Sequence, residues 1–223
     1  GQMESLRVDR DFNGSMETFQ YYENGQLIRI ERDTNEDGNI DVRDFYQDKA
    51  RIRQEQLDSQ GQVVKQLIFD EQGQVAEQKT DTTGDGRLDT VARCQVRSLS
   101  SVRQDTNADD RADQWRIYGQ GRLEVHKVDE NNDGRADREI VYDARGNPKI
   151  ARYDQNNDGR FDKVVAYEAG TVKTARYDTS GNGAFDRVVV YEGQKAVKEQ
   201  RDTDHDGHMD QILHLNDQGQ VAQ

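Results

Sequence analysis

Apolar residues along this chain fall in short runs, not at helical spacing. REIVY (138–142), KVVAY (163–167) and RVVVY (187–191) are rich in Val and Ile, each ends on a tyrosine, and each is followed within a few residues by a glycine. Short β-branched and aromatic runs bounded by turn residues predict strands, and they are too short for helices. The tyrosine recurs at Tyr22, Tyr46, Tyr118, Tyr142, Tyr167 and Tyr191, with Cys94 and Leu215 in its place in two more units. Turn glycines follow at Gly25, Gly121, Gly146, Gly170, Gly193 and Gly219, which predicts a hairpin in each unit.

The runs are in phase with a second signal, an acidic loop of nine residues. Its first residue is Asp9, Asp33, Asp81, Asp105, Asp129, Asp154, Asp178 and Asp202, at intervals of 24, 48, 24, 24, 25, 24 and 24. The doubled interval marks a degenerate unit near 57–70, where Asp58 survives and the rest of the loop is lost. Setting loop and turn aside leaves roughly 11 residues per repeat, two strands of ordinary length. The predicted fold is all-β: a single repeat domain over 1–223, about nine tandem 24-residue β-hairpins in a continuous antiparallel meander. Acidic loops line one edge and glycine turns the other. Such a meander can be a curved sheet, a spiral or a closed ring; the alternative is a β-propeller of 4–5 blades, each built from two repeats.

Within the loops, oxygen-bearing side chains stand at alternate positions. DENNDGRAD places Asp129, Asn131 and Asp133 at positions one, three and five, Gly134 at the sharp turn and Asp137 at position nine. Hard oxygen donors at this spacing suit calcium. The same grammar gives Asp9, Asp11, Asn13 and Glu17; Asp33, Asn35, Asp37 and Asp41; Asp81, Thr83, Asp85 and Asp89; and Asp105, Asn107, Asp109 and Asp113. Later in the chain it gives Asp154, Asn156, Asp158 and Asp162; Asp178, Ser180, Asn182 and Asp186; and Asp202, Asp204, Asp206 and Asp210. Position seven, held by Asn39, Arg87, Arg111, Arg135, Arg160 and His208 in six of the loops, can add its backbone carbonyl. Position twelve, where a helical EF-hand carries its bidentate Glu, holds Ile140, Val165, Val189 and Leu213 in four later loops, so position nine has to supply that carboxylate. Affinity is then expected near the weak, extracellular end, about 10⁻⁴ to 10⁻³ M. Asp110 replaces the glycine in one loop, and Asp tolerates the left-handed backbone better than most residues.

The D-x-[DN]-x-D-G-x-x-D pattern resembles the calcium loops joining antiparallel strands in integrin alpha-chain propellers, and it is similar to the Asp-rich type 3 repeats of thrombospondins. That resemblance implies a strand–loop–strand calcium site.

Charge and composition narrow the rest. With 44 acidic against 31 basic residues the net charge is −13, which disfavours nucleic acid as a partner. More than half of the acids are loop donors, and eight bound Ca²⁺ would outweigh the net charge, so folding is expected to couple to metal. Only 32% of residues are hydrophobic, which favours a thin repetitive architecture over a thick core. A basic row, Lys79, Arg103, Lys127, Arg152 and Arg176, precedes five loops by two residues and reads as compensation for the Asp ladder. The lone Cys94 makes no disulfide framework, and no apolar run approaches membrane-spanning length. Subtracting the repeat leaves scattered singletons such as His126 and Trp115 and no catalytic constellation, so no enzyme activity is expected. The chain reads as a calcium-binding, calcium-stabilised scaffold, adhesin or interaction module. Its expected setting is extracellular, cell-surface or periplasmic, with a protein or anionic polysaccharide as partner. The alternative is a calcium-dependent carbohydrate-binding protein or polysaccharide-processing enzyme on a propeller.

Overall fold

The structure, a computed structural model, describes residues 4–10, 12–95, 98–216 and 218–222. All regular structure in it is β, and the chain divides into two compact units, Gly1–Ala112 and Asp113–Gln223. The first holds β1 (Ser5–Val8), β2 (Thr18–Glu23), β3 (Gln26–Arg32), β4 (Val42–Gln47), β5 (Ala50–Leu57), β6 (Val63–Phe69), β7 (Val75–Thr80), β8 (Thr90–Gln95) and β9 (Ser98–Gln104). The second holds β10 (Gln114–Gly119), β11 (Arg122–Val128), β12 (Arg138–Tyr142), β13 (Pro148–Tyr153), β14 (Lys163–Glu168), β15 (Thr171–Tyr177), β16 (Arg187–Glu192), β17 (Lys195–Arg201) and β18 (Gln211–His214). Within each unit every strand pairs antiparallel with the next, the hairpin meander that the 24-residue repeat predicts.

Two kinds of tight turn recur among the hairpins. Asn24–Gly25, Gln120–Gly121 and Ala169–Gly170 have positive φ at both residues, and so does Asp48–Lys49, where no glycine announces the turn. The second kind starts with Asp or Asn and has glycine fourth. Its first amide bonds the fifth carbonyl and its glycine amide returns to the first carbonyl, at Asp58–Gln62, Asp70–Gln74, Asp143–Asn147 and Asn216–Gln220. The degenerate unit is thereby explained: between β5 and β6 this compact turn stands in place of the acidic loop.

Register slips recur just ahead of the repeated tyrosine, at Tyr21/Tyr22, Phe45/Tyr46, Ile117/Tyr118, Val141/Tyr142, Ala166/Tyr167 and Val190/Tyr191, and again at Arg93/Cys94. Such bulges sharpen local twist and re-aim the following side chain. In the second unit they set up the core. Ala151, Val165 and Ala175 lie opposite one another on neighbouring strands and are nearly inaccessible, with Tyr153, Tyr167, Tyr177 and Tyr191 packed around them. Burial, and then the neighbouring Tyr153 phenol, push the Tyr167 phenol above its ordinary range. Tyr177 is raised in the same way, with Tyr191 as its partner. Each tyrosine pair thus arches over a small residue, which lets a single-layer sheet bury Ala151 and Ala175 to 1% and 2% exposure.

The first unit puts polar groups on the equivalent row. Asp44 lies on β4 between Ile30 and Gln54 and is fully buried. Its carboxylate accepts from Gln54 Nε2 at 2.9 Å and Arg51 Nη1 at 3.3 Å, and from Arg32 Nη2. The opposite face carries ion pairs and stacked cations: Arg29 and Arg43 flank Glu31, Arg29 lies 4.2 Å from the centre of the Tyr21 ring and Arg53 3.8 Å from that of Phe45. Three members of the basic row read as compensation for the loop aspartates have other partners. Register sets Lys127 and Arg152 opposite Glu139, and Lys79 lies 3.4 Å from Glu77, so these cations neutralise glutamates of the sheet face. Trp115 is half-buried opposite Lys127, and Cys94 is a half-buried free thiol.

Candidate metal centres

Each acidic loop is built on its own backbone amides. The position-six amide donates to Oδ2 of the first Asp in all eight loops: Gly14 to Asp9, Gly38 to Asp33, Gly86 to Asp81, Asp110 to Asp105, Gly134 to Asp129, Gly159 to Asp154, Gly183 to Asp178 and Gly207 to Asp202, at 2.6 to 2.9 Å. The position-seven amide donates to the side chain at position five, from Ser15 to Asn13, Asn39 to Asp37, Arg87 to Asp85 and Arg111 to Asp109. The pattern continues from Arg135 to Asp133, Arg160 to Asp158, Ala184 to Asn182 and His208 to Asp206. Position three accepts from the position-five amide at Asn35, Asn107, Asn131, Asn156 and Asp204. At the other end, position nine takes the position-two amide: Glu17 from Arg10, Asp41 from Thr34, Asp89 from Thr82, Asp137 from Glu130, Asp162 from Gln155, Asp186 from Thr179 and Asp210 from Thr203. The side chains at positions one, three, five and nine therefore turn inward, spending one lone pair on the loop and keeping others. Asp113 opens the second unit and is buried; Asp11 lies outside the described residues.

This winding needs two left-handed residues per loop. Position six was legible as glycine, and Asp110 takes the same conformation with φ 69°. Position four is glycine in two loops only, Gly84 and Gly181; in the other six Phe12, Glu36, Ala108, Asn132, Asn157 and His205 have φ between 60° and 63°.

Adjacent loops are bonded in series. The position-nine carbonyl of one accepts the position-one amide of the next, from Asp33 to Glu17, Asp105 to Asp89, Asp129 to Asp113, Asp154 to Asp137, Asp178 to Asp162 and Asp202 to Asp186, at 2.7 to 3.0 Å. Position-seven arginines lie across the neighbouring loop. Arg87 pairs with Asp110 at 3.0 Å, and Arg135 fills the space that a Cβ on Gly159 would occupy. The arginines thus join loop to loop, in addition to any carbonyl they offer within their own.

Among the described residues, charge is concentrated most where three carboxylates converge. Oxygens of Asp81, Asp85 and Asp89, and of Asp202, Asp204 and Asp210, lie within 4.8 Å of one another. Each like-charge pair at about 4 Å costs about 1 kcal/mol in water and about 4 kcal/mol near a protein surface, so a cation at the centre is strongly favoured. Elsewhere the deficit shows as unused acceptors. Among the described residues, Glu17 Oε1 and Asp129 Oδ1 are buried with no hydrogen-bond partner, on residues 8% and 5% exposed. A buried carboxylate oxygen with nothing to accept from is costly, and a hard cation in the loop would satisfy it. All-oxygen donor sets of carboxylate, amide and carbonyl fit Ca²⁺ or Mg²⁺ and disfavour the softer transition metals.

The sequence reading missed position two. Thr34, Thr179 and Thr203 donate their hydroxyls to Asp41, Asp186 and Asp210 at 2.7 to 2.9 Å, and Thr82 does the same to Asp89. The Asp-Thr pair opening five of the eight loops was the available signal. These donors govern titration. The Thr34 hydroxyl holds Asp41 below the usual carboxylate range; burial pushes Asp89 up, but bonds from Thr82, Thr83 and Thr90 outweigh it and bring the pKa down to about 2. Burial also opposes, without cancelling, the loop bonds that lower Asp178 and Asp186. Depressed carboxyls stabilise the fold above their unfolded values near pH 4, and that contribution disappears as pH falls through the folded values. Metal-free protein is therefore expected to hold constant stability above about pH 5 and to lose it between about pH 4 and 2. Thermal melts across that range check this; a melting temperature rising on acidification would show that repulsion among the loops dominates instead.

No protein-family model matches the sequence, and neither does any curated protein. Among solved structures, the chain is similar over 40% of its length to 19% of TarM, at 15% identity and TM-score 0.25. Over 75% of its length it matches 22% of the accessory secretory protein 1, 2 and 3 structure from Streptococcus pneumoniae, at 11% identity and TM-score 0.16. Over 95% it matches 16% of TcdB2-TccC3-TEV, at 11% identity and TM-score 0.25. The chain spans about a fifth of each of these structures, and the overlap is too loose to assign it a family.

Proposed function

We propose that this protein is a non-enzymatic calcium-binding repeat module whose loops hold Ca²⁺ and whose sheet is stabilised by it. It works as a scaffold, adhesin or interaction surface where calcium is abundant, outside the cytoplasm. The observation that carries this reading is the inward set of loop oxygens, with like charges converging in two loops and buried acceptors left over in two others. Calcium is favoured over magnesium because loops wound on their own amides supply many oxygens but not a rigid octahedron, and Mg²⁺ gives up its water reluctantly. The missing position-twelve ligand places affinity in the weak range, suited to a module that stays loaded in millimolar calcium and does not respond to micromolar pulses.

Isothermal titration of chelator-stripped protein tests the assignment. Several ions per chain are expected, and Asp129→Asn is expected to remove about one of them with the sheet intact. Absence of calcium binding at about 10 mM, well above the expected dissociation constants, would overturn it.

A further inference from the structure

We infer that the second unit carries a binding groove for an acidic saccharide, one pyranose ring bearing a carboxylate, between its two tyrosine arches. The groove opens on the face of β13 to β16 with a volume of about 460 Å³, and its floor is Val165 and Ala175. Tyr153 and Tyr167 form one wall, Tyr177 and Tyr191 the other. The first pair stands on β13 and β14 and the second on β15 and β16, and a saturated ring laid in the groove would contact both. Aromatic faces on either side, with Thr171 and Gln194 at the turn end as hydrogen-bond partners, suit the apolar faces and hydroxyl rim of a sugar.

The charge at the loop end selects among sugars. Lys163 Nζ sits midway between the two walls, 5.3 Å from the centre of the Tyr153 ring and 5.5 Å from that of Tyr177. Several other cations on this sheet are paired: Lys127 and Arg152 with Glu139, Arg187 and Arg201 with Glu199. Among the described residues no carboxylate pairs with Lys163. In a chain of net charge −13, an ammonium left to two phenol rings at the end of a groove is a charge awaiting a counter-ion. A single ammonium, without the fork of a free arginine, matches one carboxylate per sugar better than a phosphate chain. The groove is built from the sheet, not from the loops, so this inference stands or falls independently of calcium in the loops.

Titration of the intact chain with trigalacturonate and with neutral maltotriose, each with calcium and with chelator, tests it. Wild type is expected to bind the acidic trimer in both conditions and the neutral one at least about tenfold more weakly. Lys163→Met is expected to lose about tenfold for the acidic trimer alone, Lys163→Arg to keep most of it, and Tyr177→Ala to weaken both sugars. Equal melting temperatures of wild type and the lysine variants exclude unfolding as the cause. No binding by wild type, or acidic-trimer binding untouched by Lys163→Met, overturns the inference. In particular, binding that survives Lys163→Met and vanishes with chelator would place the sugar on loop calcium instead.

Discussion

Adding about 10 mM calcium to chelator-stripped protein is expected to raise its melting temperature by tens of degrees. At a dissociation constant of about 10⁻⁴ M each occupied loop contributes about 2.7 kcal/mol at that concentration, provided the unfolded chain does not bind. For a chain of 223 residues a kilocalorie is worth roughly 2–4 °C, so each site adds roughly 5–10 °C and a handful of sites reaches tens of degrees. The specific source is relief at Asp81, Asp85 and Asp89 and at Asp202, Asp204 and Asp210, together with ligation of Glu17 and Asp129. Sodium chloride of matched ionic strength screens repulsion without coordinating and should recover only a small part of the shift. Magnesium should fall between. A melting temperature indifferent to calcium, or moved equally by sodium chloride, would remove the coupling of metal to folding.

The second large effect lies away from the loops. Asp44→Ala is expected to cost about 2–3 kcal/mol and to lower the melting temperature by roughly 5–10 °C. Asp44 is completely buried, and removing it strands Arg32, Arg51 and Gln54 at once. Breaking a buried pair usually costs more, about 3–5 kcal/mol, but the Arg32 and Arg51 side chains are 28% and 40% exposed and can turn their charge to water. Because the site is distant in kind from the loops, the loss should be the same in calcium and in chelator. Measuring both separates it from a metal effect, and a loss confined to the calcium-loaded protein would contradict this account. The equivalent repeat positions on β12, β14 and β16 of the second unit hold Ile140, Val165 and Val189, so the first unit has placed an ion network where these strands pack aliphatic side chains.

Much of this architecture is readable from spacing. A 24-residue period with Val-, Ile- and Tyr-rich runs fixes strand, loop and turn, because alternation along a strand and left-handed glycines are local requirements. The inward oxygens are readable for the same reason, since a loop wound on its own amides needs an acceptor at alternate positions. What escaped depends on cross-strand neighbours. Glu139 faces Lys127 only through the register of β11 and β12, and Asp44 looks like one more surface acid until Arg32 and Arg51 are brought to it. The Asp48–Lys49 turn lacks the glycine that would have announced it, and the threonines at position two resemble filler until their hydroxyls are seen on position nine. The division at Ala112 falls inside the loop where Asp110 replaces glycine, and nothing in the 24-residue spacing marks it.

The bond from a loop's first amide to its predecessor's last carbonyl, present at six of the loops, also bears on how such a chain can change length. Hairpins joined in this way offer their neighbours the same acceptor and receive the same donor, so a gene segment encoding one of them can be duplicated or lost while both flanking joins remain chemically valid. A single strand cannot be gained or lost in this way, because every later loop would move to the turn edge. The turn at Asp58–Gln62 shows the milder route: a hairpin can give up its acidic loop and keep its place, provided a five-residue turn still brings its strands together in register.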